Sequence, residues 1–310
     1  MHASNALDPQ SPQARAIYDL GIVSTIVFVL IFAVVAGAIV YAIFHFRGRE
    51  GEADPRQFAG SEKVEIIWTA IPFLIVVFLF VLTLRGMNRV DPPPAPSPDL
   101  VVTGHQFWWQ ADYPASGVVT ANEIHIPAGK PLSVRLDSKD VLHEFWVPEL
   151  SRKMTTVPGQ PNHIWLQADK PGVYIGTCSE FCGTQHAWMR IVVVAEEQSK
   201  FEEWQRAQLQ PSQATTSAAA AKGLALFQTS TCMNCHAIRG VPGANASVAP
   251  DLTHVASRRQ IGAGIMENTP ANLRLWVKTP QHVKPGVFMP DFNFSEQELD
   301  ALGEYLGTLR

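Results

Sequence analysis

Two thiols, an imidazole and a thioether fall within one short stretch of this sequence, Cys178-Ser-Glu-Phe-Cys182-Gly-Thr-Gln-His186-Ala-Trp-Met189. Upstream, Val-Leu-His143-Glu-Phe-Trp offers a second imidazole beside an apolar run. Soft thiolate and thioether donors beside imidazole suit copper better than calcium or magnesium. Two histidines, one cysteine and one methionine would make a mononuclear electron-transfer copper site, and the second cysteine changes that arithmetic. Two thiolates can bridge two copper ions, with His143 and His186 terminal, Met189 on one metal and the backbone carbonyl of Glu180 on the other. A structural disulfide between Cys178 and Cys182 is an alternative in an exported domain. A zinc site is another. Either leaves Met189 without a role.

The remaining cysteines form a second tight pair. Cys232-Met-Asn-Cys235-His236 is the attachment pattern of a c-type haem. The cysteines would add to the haem vinyl groups, and His236 would supply one axial nitrogen. A chance motif and a thioredoxin-like dithiol are the bland alternatives, opposed by Lys222-Gly-Leu-Ala-Leu-Phe227 before it and Ala249-Pro-Asp-Leu252 after it. Four cysteines in two close pairs are a cofactor pattern rather than a disulfide scaffold.

At the first motif the chain resembles the copper-A domain of cytochrome c oxidase subunit II, whose pattern Cys-Ser-Glu-x-Cys-Gly-x-x-His-x-x-Met is matched at every specified position. The final ninety or so residues resemble a class I cytochrome c in length and order. That second resemblance implies Met289, in Gly286-Val-Phe-Met289-Pro290, as the other axial ligand. Met266, Met233 and His282 are weaker candidates. His/Met ligation raises a haem potential, which suits a carrier feeding copper. Asn272-Leu-Arg-Leu-Trp276 resembles a helix whose tryptophan contacts a haem propionate, although a packed aromatic explains Trp276 equally well.

Together the resemblances imply dinuclear copper A and one covalently bound haem c. Electrons would pass from a donor through haem c to copper and on to haem a of oxidase subunit I, where oxygen is reduced to water. The implied partners are subunit I, the other oxidase subunits, membrane lipid, and an external cytochrome c or quinol-oxidising complex as donor. Two other functions share much of this wiring: a copper-A subunit of a nitric oxide reductase, and a stand-alone membrane-anchored carrier. A quinol-oxidase subunit is disfavoured, because that branch lacks the copper ligands.

The elements that must position these groups can be read from composition. The 310 residues leave room for more than one core. The formal charge of −4 argues against nucleic acid. Residues 1–19 are expected to be an N-terminal outer segment without a secretory leader pattern, and 20–90 a transmembrane helical hairpin. Leu20 to Phe46 contains no Asp, Glu, Lys or Arg, and Val64 to Leu84 is a second apolar run. Each can span a bilayer, which takes ~20 apolar residues. Arg47, Arg49, Arg56 and Lys63 lie between them. The positive-inside rule then puts this loop in the cytoplasm, and both termini and all redox groups on the periplasmic face of a bacterial inner membrane.

Val64-Glu65-Ile-Ile-Trp68-Thr-Ala-Ile-Pro72 resembles the subunit II signature at the second helix. The resemblance implies a place for Glu65 beside the mouth of a proton path, whereas helix electrostatics alone explains a carboxylate at that end.

The run Asp91-Pro-Pro-Pro-Ala-Pro-Ser-Pro98 predicts a stiff spacer. Short alternating segments between turn signals then predict an all-β cupredoxin domain over 91–200. A linker over 201–217, with a short amphipathic helix at Phe201 to Gln208, leads to an all-α cytochrome c domain over 218–310. The resemblance places an electron-admitting tryptophan at position 107, but the chain has Phe107 there, followed by Trp108 and Trp109. These three are the candidate electron-path aromatics. A tethered haem domain has an effective concentration of order millimolar, so external donors are expected to reduce the haem first and copper only through it. His45, His105, His125, His163 and His254 read as ordinary surface or strand residues.

Overall fold

The computed structural model describes residues 4–48, 51, 57, 59–91, 97–211 and 217–310. The proline run at 92–96, Arg49, Arg56 and residues 212–216 of the Ser/Thr/Ala junction lie outside the described residues.

Two compact units result. Arg15–Asp91 makes one, and the described residues of Met1–Ala14 and Pro92–Arg310 make the other. The first unit consists of α1 (Pro12–His45) and α2 (Glu62–Val90), both long and apolar enough to cross a membrane. Large side chains such as Phe28, Phe32, Phe73 and Phe80 are exposed along them, as expected of helices solvated by lipid. Helix α1 starts well before the uncharged run because Ser11 and Pro12 make a good helix start. The Ser11 hydroxyl accepts from Ala14 N at 2.9 Å, and Pro12 occupies a position where a missing N–H is harmless. Residues 12–19 of the expected outer segment are therefore helical.

The residues before α1 pack on the β-domain. Ser11 Oγ donates to Leu150 O at 2.6 Å, and Gln10 N donates to Glu149 O at 2.8 Å.

That domain is a two-sheet sandwich. In chain order its strands are β1 (Leu100–His105), β2 (Trp108–Tyr113), β3 (Val118–Ala121), β4 (Glu123–Pro127), β5 (Leu132–Ser138), β6 (His143–Trp146), β7 (Met154–Thr156), β8 (Asn162–Leu166), β9 (Gly172–Cys178) and β10 (Arg190–Glu196). One sheet runs β3-β2-β1-β5-β8 and the other β4-β10-β9-β6-β7. Inward positions such as Val102, Trp109, Val134, Phe145, Ile191 and Val193 form the core between them. Helix α3 (Gln198–Gln208) covers one side. Its Phe201 joins the sandwich core and Trp204 stacks on His125 at 4.1 Å, so the first half of the segment read as linker packs as part of the copper-type domain.

The C-terminal region contains α4 (Ala218–Thr229), a small β11–β12 ladder (Gln260–Ile261 and Met266–Glu267), α5 (Pro270–Lys278), α6 (Pro280–Val283) and α7 (Glu296–Thr308). Helices α4 and α7 cross closely because Gly223 lies against Ala301 and Tyr305, where a Cβ would overlap the backbone. Phe227 and Tyr305 meet at 6.0 Å beside that crossing. Ser295 and Glu298 close a full capping box at the start of α7.

Candidate functional site

The sulfur and imidazole groups of the first motif converge at one end of the sandwich. Cys178 ends β9, His143 opens β6, and the loop from Cys178 to the start of β10 brings in the other groups. Cys178 Sγ and Cys182 Sγ are 3.9 Å apart. Cys182 Sγ lies 3.8 Å from His186 Nδ1 and 3.8 Å from Met189 Sδ. The Glu180 carbonyl is 3.2 Å from Cys178 Sγ. One donor atom from each of His143, Cys178 and Cys182 lies within a 4.8 Å cluster. The two thiols are free, so the disulfide alternative is not realised in this geometry.

The donor set fits copper. Cys178, Cys182, His143 and Met189 are all buried, which keeps water from soft ligands. The Nδ1 atom of His143 is buried with no hydrogen-bond partner. Its other nitrogen, Nε2, lies 2.7 Å from Asp140 Oδ1. A carboxylate on one ring nitrogen fixes the tautomer and presents the second nitrogen to a metal. Burial would raise the Asp140 carboxyl, but its bonds to His143, Gln106 N and Val141 N prevail and hold it below the ordinary range. The contact between the two thiols pushes Cys178 down and Cys182 up, so the pair as it stands favours a single thiolate, on Cys178. Gly104 on β1 leaves room for the His143 ring: a Cβ there would sit 2.7 Å from it. Asp140 carries no recognisable sequence signal, whereas Gly104 opens the Gly104-His-Gln-Phe107 run whose aromatics mark it.

The second motif lies at a short 3-10 turn after α4. His236 Nδ1 lies 2.7 Å from Pro250 O, which orients the ring and leaves Nε2 free of that contact. Burial lowers the affinity of this imidazole for protons. Cys232 packs partly on the helical core and Cys235 is exposed. These residues fit a covalently held haem. Met289 is half-buried in the loop between α6 and α7, and its carbonyl accepts from Gln281 Nε2 at 2.7 Å. Met266 and Met233 instead pack against the protein's own helical core. Trp276 packs there too, beside Gly262, supporting the packed-aromatic reading; His282 is exposed.

The aromatic run divides by position. Trp109 is fully buried, 5.8 Å from the His143 ring. Trp108 stacks on His105 at 4.2 Å and shares a small core with Ala263 of the C-terminal region. Phe107 is only 6% exposed, with its ring against Gly183 on one side and Phe288 at 6.5 Å on another. Position 107 is thus covered by the chain's own C-terminal domain. Glu65 lies exposed in the first turn of α2.

Three histidines read as ordinary prove to be buried. Burial takes His105 down to about 4, with the Asp140 carboxylate opposing. His254 bonds to Gln210 O. His125 lies between Glu196 at 3.0 Å and Glu123 at 3.2 Å. Burial alone would lower His125, but the two carboxylates override it and hold the imidazole above its ordinary value.

Three stretches of the chain match family models. Residues 3–85 match the family model described as cytochrome c oxidase subunit II, transmembrane domain, and 115–196 match its periplasmic domain. Residues 220–310 match the cytochrome c family. A cytochrome c oxidase subunit 2 of Alkalihalophilus pseudofirmus is 39% identical, over 98% of this chain and 90% of the relative. Another, from a Bacillus species, is 33% identical over 86% of this chain and 80% of its own length. A quinol oxidase subunit 2 of Bacillus cereus is also 33% identical, over 64% of this chain and 70% of its own.

Proposed function

The chain belongs to the cytochrome c oxidase subunit II family and has a cytochrome c domain at its C-terminal end, and on that premise we propose that it relays electrons from an external donor, through its own haem domain and copper site, to subunit I of a haem–copper oxidase. As a two-span bacterial membrane protein it works in association with other oxidase subunits, and oxygen reduction belongs to subunit I.

His143, Cys178, Cys182, His186, Met189 and the Glu180 carbonyl would hold copper A, while Cys232, Cys235, His236 and Met289 would hold one haem c. Bound there, the two groups would supply reversible one-electron chemistry. The chain's part is to keep ligand positions constant. Asp140 holds the His143 ring, Pro250 O holds the His236 ring, and the sandwich core excludes water from both thiols. The outer-face orientation is supported by residues 10 and 11, which bond to the same domain that follows α2. Among the described residues, Arg47 follows α1 and Lys63 lies in the first turn of α2, at the opposite end of the hairpin from the β-domain's connections.

The observation carrying the proposal is the stack of Phe288, next to Met289, on Phe107, whose ring abuts the loop between Cys182 and His186. The haem-ligand loop and the copper-ligand loop are in direct contact. Rapid reduction of the purified complex tests this, with haem and copper absorption followed separately. Haem is expected to be reduced first and copper from it. A Cys232→Ala/Cys235→Ala variant should lose most turnover with external cytochrome c while retaining copper. Wild-type turnover in that variant would mean that donors reach copper directly and would sink the relay.

A further inference from the structure

Lys284 is 2% exposed, unusual for a lysine that follows a four-residue helix in a loop containing proline and glycine. Among the described residues its ammonium pairs with no carboxylate and instead donates to three carbonyls. These are Phe107 O at 3.1 Å, Trp188 O at 2.8 Å and Gly262 O at 2.9 Å. An ammonium has three donors, so this cage satisfies all of them. The three acceptors come from separate places. Phe107 lies in the β1–β2 turn, Trp188 between the ligand positions His186 and Met189, and Gly262 in the β11–β12 turn of the haem domain.

The next residues continue the contact. Gln185 Nε2 donates to Pro285 O at 2.6 Å. Gly286, with a φ of +88°, lies against Thr184, where a Cβ would come within 2.8 Å of the hydroxyl. Phe288 then meets Phe107. Residues 284–288 therefore follow the copper-ligand loop and lead directly to Met289.

We propose that Lys284 is a positioning residue that holds the Met289 loop on the copper-ligand loop and thereby sets the rate of haem-to-copper electron transfer. This inference rests on the relay proposed above. Burial pushes Lys284 down to about 7, while three carbonyls at hydrogen-bond distance favour its charged form, and a fully bonded ammonium is suited to the task. It ties three backbone segments together without depending on side-chain rotamers of its acceptors. Its contacts are also shielded from dissolved salt, unlike the exposed charge pairs that guide two separate proteins together. Removing the ammonium would strand three carbonyls, and a buried acceptor without a donor favours opening of the contact to water.

The test uses the full-length protein in its purified complex, with Lys284→Met as the main variant and Lys284→Gln, which retains an amide donor, as a milder one. Two readouts are needed: hydrogen exchange over 284–289, which does not depend on activity, and the haem-to-copper rate after rapid reduction. Lys284→Met is expected to speed exchange and slow transfer by at least about tenfold each, equivalent to ~1.4 kcal/mol in the docking equilibrium. Both centres should keep their absorption spectra. Lys284→Gln should fall between this variant and wild type, and the wild-type rate should be nearly independent of ionic strength.

Wild-type exchange and transfer in either variant would overturn the role of Lys284 while leaving the relay intact. Loss of the haem or copper spectrum in both variants would also overturn it, because a positioning residue leaves both centres formed. Failure of wild-type haem to reduce copper would instead refute the relay itself.

Discussion

Replacing Asp140 by alanine should weaken copper retention without touching a copper ligand. Asp140 Oδ1 is 2.7 Å from His143 Nε2 and also accepts from Val141 N at 2.7 Å, while Oδ2 accepts from Gln106 N at 2.7 Å. The carboxylate therefore orients the imidazole and pins both turns flanking it. Loss of such an outer partner costs about 10–100-fold in metal affinity, or ~1.4–2.7 kcal/mol. Asp140→Asn keeps one acceptor oxygen, enough for His143 and Val141 N, but sets its NH2 against Gln106 N and removes the charge facing His143; it should fall nearer the lower end. The assay is copper bound per chain after dialysis against chelators of increasing strength, with the haem spectrum as an internal check on folding. Cys182→Ser supplies the reference for a lost bridging ligand. If Asp140→Ala retains copper as wild type does while Cys182→Ser releases it, the orientation argument fails.

Met289→Ala should abolish the red absorption band reporting sulfur–iron bonding and lower the haem potential, whereas Met266→Ala, which trims a core side chain, should do neither; reversal would move the axial ligand to Met266. Gly223→Ala should destabilise the haem domain by about 1–3 kcal/mol, because the new methyl meets the Ala301 backbone and Tyr305, and calorimetry showing an unchanged transition would contradict that packing. The Glu196 carboxylate raises the proton affinity of His125, so its contribution is full below the ordinary histidine value of ~6.5 and disappears as pH rises through the higher folded value. Glu196→Gln should accordingly cost more at pH ~6 than at pH ~9. Partial exposure keeps the effect below ~1 kcal/mol, and equal losses at both pH values in denaturant titrations would refute it.

Much of the candidate site was legible because its groups are close in sequence. Cys178 through Met189 come from one loop, and Cys232 through His236 from one turn, so residue type and spacing already specify which atoms can share a metal or haem. The apolar runs, the turn-punctuated strands and the Ser295 capping box are legible for a similar reason: period and capping are local properties. Boundaries were less so. Helix α1 was expected from Leu20 but begins at Pro12, where Ser11 caps it, and α3 joins the sandwich through Phe201 and Trp204.

Tertiary structure alone decided the surroundings of those groups. Asp140 acquires its role from the His143 ring orientation, Gly104 from the approach of that ring, and His125 from two carboxylates on β4 and β10. Lys284 is the extreme case. In the sequence it is a charge beside Pro285 and Gly286, the pattern of an exposed turn. In the structure its ammonium is enclosed by carbonyls 22, 96 and 177 residues away. Backbone carbonyls occur at every position and leave no mark in the sequence, so a site built from them exists only once the chain has brought the three segments together.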